Sequence, residues 1–148
     1  MQGGQVPSQL YLPGRPVCIK SKSSGCYLDG RHAPGFEVWV NHKSSDNSYY
    51  TWIIQPCDPG YVSIWSASSK SYLDGRSKES ECLVTNRAPQ GDMYLNWVIG
   101  TVDGFITFQC KSNGHYLDGR AEPGSTAYST GRDPKGDAFL QWILEPAM

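Results

Sequence analysis

The side chains best equipped for chemistry in this chain are three acids, each followed two residues later by an arginine: Asp29 and Arg31, Asp74 and Arg76, Asp118 and Arg120. Each pair closes the same five residues, Tyr-Leu-Asp-Gly-Arg, at 27–31, 72–76 and 116–120. An ionised carboxylate accepts two O–H donors in a fixed fork, and a neighbouring guanidinium or backbone N–H donates to ring and hydroxyl oxygens. The vicinal hydroxyls of a sugar call for that combination. The same residues also suit a plain turn, with Asp bonded to its own backbone N–H groups and Arg paired with it at the surface. At this level both uses stand.

Catalysis has little support. Nucleophile, base and orienting group must converge once, whereas similar polar groups here are spread over three equivalent places, so binding without a cofactor is expected. His32, His42 and His115 do not recur in register, and Cys18, Cys26, Cys57, Cys82 and Cys110 form neither a Cys-x-x-Cys motif nor a repeated pair. No metal site and no disulfide framework is expected, and the thiols read as small core side chains in a reducing compartment.

The elements that must carry these groups repeat too. Successive Asp residues are 45 and 44 apart, and Trp52, Trp97 and Trp142 are 45 and 45 apart, so the chain is one unit written three times. Apolar alternation in 17–19, 62–64 and 106–108 predicts a first strand. The Tyr-Leu pairs begin a second, with Leu28, Leu73 and Leu117 inward, and Asp-Gly ends it as a turn in which Gly accepts positive φ. Third strands are expected at 37–41, 82–86 and 126–130, and fourth strands at 49–54, 94–99 and 139–144, with Trp52, Trp97 and Trp142 in the core. Segments 55–61 and 100–104 read as short linkers between units. One such unit cannot bury its Leu and Trp face alone, so three must close about an axis. The expected fold is all-β, a twelve-stranded β-trefoil over 10–148 behind a tail at 1–9, with repeats near 15–57, 58–102 and 103–148. Leu10–Leu12 is a candidate for an early first strand paired with Trp142–Leu144.

Counting back eleven residues from each Trp gives Asn41, Asn86 and Gly131, followed by His42, Arg87 and Arg132. Counting back five gives Asn47, Asp92 and Asp137. In those loops Asn or Asp would complete contacts to hydroxyls and Arg or His would donate. Trp39, Tyr94 or Tyr128 would cover the apolar face of a pyranose. The third unit departs, with Gly131 in place of Asn.

Thirteen basic and fourteen acidic residues nearly cancel, which argues against nucleic acid as a partner, and no apolar run is long enough to cross a bilayer as a helix. Met1–Gln9 lacks the apolar stretch of a secretory signal. A cytoplasmic or non-classically secreted protein is the expectation.

Unit length, Leu-Asp at the end of the second strand and a polar residue before Trp (Thr51-Trp52, Asn96-Trp97, Gln141-Trp142) resemble the ricin-B-like β-trefoil lectins over 10–146. That family's usual spacing is Gln-x-Trp and its units often hold a cysteine pair, and this chain departs on both points. Short cysteine-poor trefoil lectins of invertebrates and fungi, and fascin-like trefoils, are similar in style. The resemblance implies up to three metal-free sites for galactose or N-acetylgalactosamine ends, with Asp29, Asp74 and Asp118 holding hydroxyls, in a monomer or homodimer that cross-links glycans. A fascin-like module binding a protein such as actin is the second expectation. A protease inhibitor acting through loop 55–61 is the third.

Overall fold

A computed structural model describes residues 13–43, 47–76, 80–120 and 122–147. Fourteen short strands form one continuous sheet. The first unit contributes β1 (Pro16–Ser21), β2 (Tyr27–Asp29), β3 (Trp39–Asn41) and β4 (Trp52–Pro56). The second contributes β5 (Val62–Ser66), β6 (Ser71–Asp74), β7 (Ser80–Glu81), β8 (Leu83–Thr85) and β9 (Trp97–Val102). The third contributes β10 (Phe105–Cys110), β11 (Tyr116–Asp118), β12 (Ser125–Thr126), β13 (Tyr128–Thr130) and β14 (Trp142–Pro146).

First and fourth strands close a six-stranded antiparallel barrel through the pairs β1–β4, β4–β5, β5–β9, β9–β10, β10–β14 and β14–β1. Closure removes the free edges that a single four-stranded unit would expose. The second and third strands form three hairpins that cap one end. At the centre of the cap the chain makes a cycle of hydrogen bonds: Val38 N–H donates to Cys82 O (3.0 Å), Cys82 N–H to Ala127 O (2.9 Å) and Ala127 N–H to Val38 O (2.8 Å). All three residues are fully buried.

Two differences from the expected strands have local causes. Third strands are interrupted at Cys82 and Ala127, where the backbone turns to the neighbouring unit, so twelve expected strands become fourteen. Fourth strands begin only at the Trp, because the preceding residues form 3-10 turns at Asn47–Tyr50, Met93–Leu95 and Ala138–Leu140. Asp92 and Asp137 cap two of these turns by accepting from the N–H groups of Tyr94 and Phe139. Residues 100–104 are a hairpin rather than a linker: Val102 pairs with Phe105 across Asp103 and Gly104, both at positive φ, 55° and 83°. Leu10–Leu12 lies outside the described residues, and β14 pairs with β1, Ser21 opposite Trp142.

The core holds Leu28, Leu73, Leu117 and the three repeated Trp residues. Each indole N–H finds the carbonyl of the repeated Leu: Trp52 to Leu28 (3.0 Å), Trp97 to Leu73 (3.1 Å) and Trp142 to Leu117 (3.0 Å). A large ring buried with its one donor satisfied is an efficient core filler.

Candidate functional site

The glycine of Asp-Gly-Arg is present for space, not for positive φ. Gly30, Gly75 and Gly119 lack the left-handed conformation, and a Cβ at these positions would meet the repeated Trp Cη2 at 2.9, 3.0 and 2.9 Å. It would also meet Ser66 Oγ at 2.6 Å in the first unit and Cys110 Sγ at 2.5 Å in the second. The left-handed residues are the arginines that follow, Arg76 (φ 63°) and Arg120 (φ 59°). The glycine N–H groups are not open to a ligand, since they donate to Tyr49 O (2.9 Å), Tyr94 O (3.0 Å) and Phe139 O (2.8 Å).

The three acids point inward. Asp29, Asp74 and Asp118 are buried, with 0%, 5% and 3% of their surface exposed, which leaves almost no carboxylate for a hydroxyl to approach. One oxygen of each accepts the N–H of the residue two positions on, Arg31 (3.0 Å), Arg76 (2.8 Å) and Arg120 (2.8 Å). The other oxygen meets a guanidinium, and here the units part. Arg87 Nη2 donates to Asp74 at 3.3 Å and Arg132 Nη2 to Asp118 at 3.1 Å. In the first unit Arg31 itself folds back, Nη2 lying 2.7 Å from Asp29 Oδ2, and Asn41 Nδ2 donates to the same oxygen at 3.0 Å. Of the two uses that the sequence left standing, this is the arrangement of a turn brace.

Strand register explains the difference. Asn41 lies opposite Tyr27 as Thr85 lies opposite Tyr72 and Thr130 opposite Tyr116, so Asn41 matches Thr85 and Thr130 rather than Asn86 and Gly131. The match to Arg87 and Arg132 is then Lys43, not His42. Lys43 Nζ sits 4.6 Å from the Tyr27 ring centroid, and exposed His42 has Nδ1 3.5 Å from Cys26 Sγ. Counting back from Trp misses this because the first unit has one residue fewer between its third strand and Trp52.

On the outer rim of units 2 and 3 the same constellation appears twice. Arg87 Nε donates to Asp92 Oδ2 and Arg132 Nε to Asp137 Oδ2, both at 2.8 Å. Arg87 Nη1 donates to Thr85 Oγ1 (3.2 Å) and Arg132 Nη1 to Thr130 Oγ1 (3.3 Å). Each guanidinium carbon lies 5.9 Å from an aromatic centroid, Tyr94 in one unit and Phe139 in the other. These rings are 37% exposed, the arginine side chains 48% and the outer acids 21%. This group is open to solvent, whereas the inner acids are not.

Electrostatics separate the two acids of each rim. Burial pushes the Asp74 and Asp118 carboxyls above their usual value, outweighing the lowering by the Arg76 or Arg120 N–H and by the Arg87 or Arg132 guanidinium. Arg87 and Arg132 are held more firmly protonated, first by the hydrogen bond to the outer Asp92 or Asp137.

Several expected residues lie elsewhere. Trp39 is half-buried, its ring centroid 5.7 Å from that of His32. Arg120 lies over Tyr128 at 4.4 Å, and Arg31 over Tyr49 at 4.3 Å. Asn47 begins its 3-10 turn, while Arg76 and Asn86 are exposed. The residues before Trp are braces: Asn96 donates to Pro89 O and Asp92 O, and Gln141 to Pro134 O and Asp103 Oδ2. Loop 55–61 is a tight turn whose Asp58 accepts the Gly91 N–H at 3.1 Å. Among the described residues no three His, Cys, Asp or Glu side chains converge to hold a metal ion.

No family model and no curated protein matches the chain. Solved structures do match it. The designed three-fold symmetric protein ThreeFoil superposes with a TM-score of 0.76 at 18% identity, over 87% of this chain and 96% of its own. The fold is a β-trefoil. Among natural trefoils, the Rhizoctonia solani agglutinin matches with a TM-score of 0.74 at 14% identity, over 90% of this chain and 96% of its own. The C-half of an earthworm R-type lectin, solved in complex with GalNAc, matches with 0.68 at 20% identity, over 89% and 98%. In larger matches, a mosquitocidal holotoxin and an exo-β-1,3-galactanase from Clostridium thermocellum, the trefoil spans 17% and 30% of the other chain. The expectation of a threefold-repeated β-trefoil is met, and carbohydrate-binding lectins stand among its structural neighbours.

Proposed function

We propose that this trefoil is a non-catalytic carbohydrate-binding protein whose sites are the outer rims of units 2 and 3. The observation that carries the proposal is the twice-built group Arg87, Asp92 and Tyr94, and Arg132, Asp137 and Phe139, with matching distances and matching exposure. A half-exposed aromatic face covers the apolar side of a pyranose, the guanidinium donates, and the outer carboxylate accepts. Asp74 and Asp118 act one step back, as positioning residues that aim the arginine. In the first unit Arg31, Asn47 and Tyr49 stand at the corresponding rim, but Arg31 is turned into Asp29, so this site is weaker. Trp39, Asn41, His42, Asn86 and Tyr128 are left to secondary contacts.

The neighbours support galactose-type ligands: one is a lectin in complex with GalNAc, and another, SeviL, was solved bound to asialo-GM1 saccharide. Each rim offers a few hydrogen bonds and one stacking contact, so a single site binds at about 1 mM. Two on one molecule gain avidity on a glycan-bearing surface and can bridge two surfaces.

A glycan array on the wild type, followed by titration of Arg87→Ala, Arg132→Ala and the double variant, tests this reading. Array binding of galactose-type glycans, weakened by each single change and abolished by both with the fold intact, is the expected result, because avidity on an array needs the two rims. Array binding that survives the double change sinks the rim assignment, and silence across the whole array sinks the carbohydrate reading.

A further inference from the structure

The chain has five tryptophans, of which three are the repeated core residues and Trp39 packs at a tilt against His32. Trp65 is left over. It points outward from β5, half-buried, with Tyr72 of β6 directly opposite on one side and Ile53 of β4 on the other. Next along the same face, Gln55 lies opposite Ser63. With Gly14 at the edge, these residues line a cleft of about 350 Å³, within the range of small-ligand sites.

Threefold symmetry supplies two controls. The row Ile53–Trp65–Tyr72 corresponds to Val98–Gln109–Tyr116 and to Ile143–Lys20–Tyr27. In the second of these, charge fills the space: Lys20 pairs with Glu145 at 3.6 Å and Tyr27 donates to Glu145 at 2.8 Å. In the first, Gln109 is tied to Gly114 O at 2.9 Å. Around Trp65 the polar groups are uncommitted. Among the described residues the side chains of Gln55 and Ser63, the Tyr72 hydroxyl and the Trp65 indole N–H make no hydrogen bond, although Ser63 is 94% buried. These groups are therefore free to meet a ligand seated in the cleft.

We propose that this cleft is a second carbohydrate subsite, on the barrel wall and separate from the rims, that takes one neutral pyranose. No ionised side chain lines the cleft itself, although Lys70 Nζ stands over the Trp65 ring, 5.6 Å from its centroid. Two aromatic faces suit the C–H side of a sugar ring, while an amide, a hydroxyl and an indole N–H offer both donors and acceptors to its hydroxyls. The proposal rests on the carbohydrate-binding reading only for its ligand class, since it shares no residue with the rims.

Its test is the indole N–H spectrum of the full chain labelled with nitrogen-15, with the Trp65 signal assigned from Trp65→Phe. Galactose, N-acetylgalactosamine, glucose, N-acetylglucosamine and mannose are each titrated to roughly 50 mM, well above the Kd of a weak single site. At least one sugar should shift the Trp65 signal in a saturable way, equally in wild type and in the Arg87→Ala/Arg132→Ala variant, and Tyr72→Ala should weaken that response at least tenfold. A Trp65 signal unmoved by all five sugars overturns the subsite whether or not the rims bind. A shift that disappears with the rim arginines overturns it as well.

Discussion

Units 2 and 3 neutralise their inner acid with an arginine 13 or 14 residues away across a hairpin, whereas the first unit uses the arginine two residues on. In the first unit Lys43 stands at the register position of Arg87 and Arg132, and it lies over Tyr27 instead of reaching Asp29. Arg31 then occupies the gap, outside the left-handed conformation that Arg76 and Arg120 adopt. A carboxylate removed from water needs a donor-rich partner, and a guanidinium supplies a planar fork where an ammonium supplies a point charge. The requirement is thus for one guanidinium per buried acid, and the fold accepts it from either side. Where a distant arginine does the work, it also reaches the surface and builds the exposed rim group.

The sharpest way to break this comparison is Arg31→Ala. It leaves Asp29 wholly buried with only the Arg31 N–H and Asn41 to hold its charge, and should cost about 3 kcal/mol by urea unfolding. Adding Lys43→Arg, which installs the partner of units 2 and 3, should recover about 1 kcal/mol. No recovery would refute the register match. Next in size is Gly75→Ala, where a Cβ would sit 2.5 Å from Cys110 Sγ. Overpacking should cost about 1–3 kcal/mol, and Cys110→Ala should relieve part of it.

Arg87→Ala is smaller, about 1 kcal/mol near neutral pH, because its side chain is half exposed and screened. Its pH dependence carries a sign. Asp74 has a folded pKa above the unfolded one, so its contribution favours folding at low pH and is lost as pH rises through the folded value. Removing Arg87 removes one of the groups that lower that pKa and widens the window. The deficit of Arg87→Ala should therefore be largest near neutrality and shrink as the pH falls through the raised folded pKa, since a protonated Asp74 needs no guanidinium. A deficit that grows on acidification would reverse the assignment. Smallest of all, Arg76→Ala should change stability by less than about 0.5 kcal/mol, since its exposed side chain makes no hydrogen bond or ion pair among the described residues. It separates one five-residue repeat into two roles: Arg31 in the first unit is structural, and Arg76 in the second is not.

Much was legible before any coordinates. The period in Asp and Trp spacings dictates three units, and apolar alternation with an inward Leu dictates strands, because neither face can be buried by a lone unit. Exposed Arg87, Arg132, Tyr94 and the outer acids were also within reach of counting back from Trp. Trp65 was not, because it breaks the repeat and a single outward aromatic carries no periodic signal.

Sequence by itself settled the repeat, the all-β class, the core Leu and Trp, and the presence of an acid and an arginine in every unit. Only tertiary structure decided which arginine meets which acid. The three hairpins pair in the same register, which sets Arg87, Arg132 or Lys43 two residues beyond the partner of the repeated Tyr, and only the two arginines reach the buried carboxylate from there. Tertiary structure also turned Asp29, Asp74 and Asp118 inward, because each caps its own turn against a glycine packed on tryptophan, and so moved the reachable chemistry to the rim.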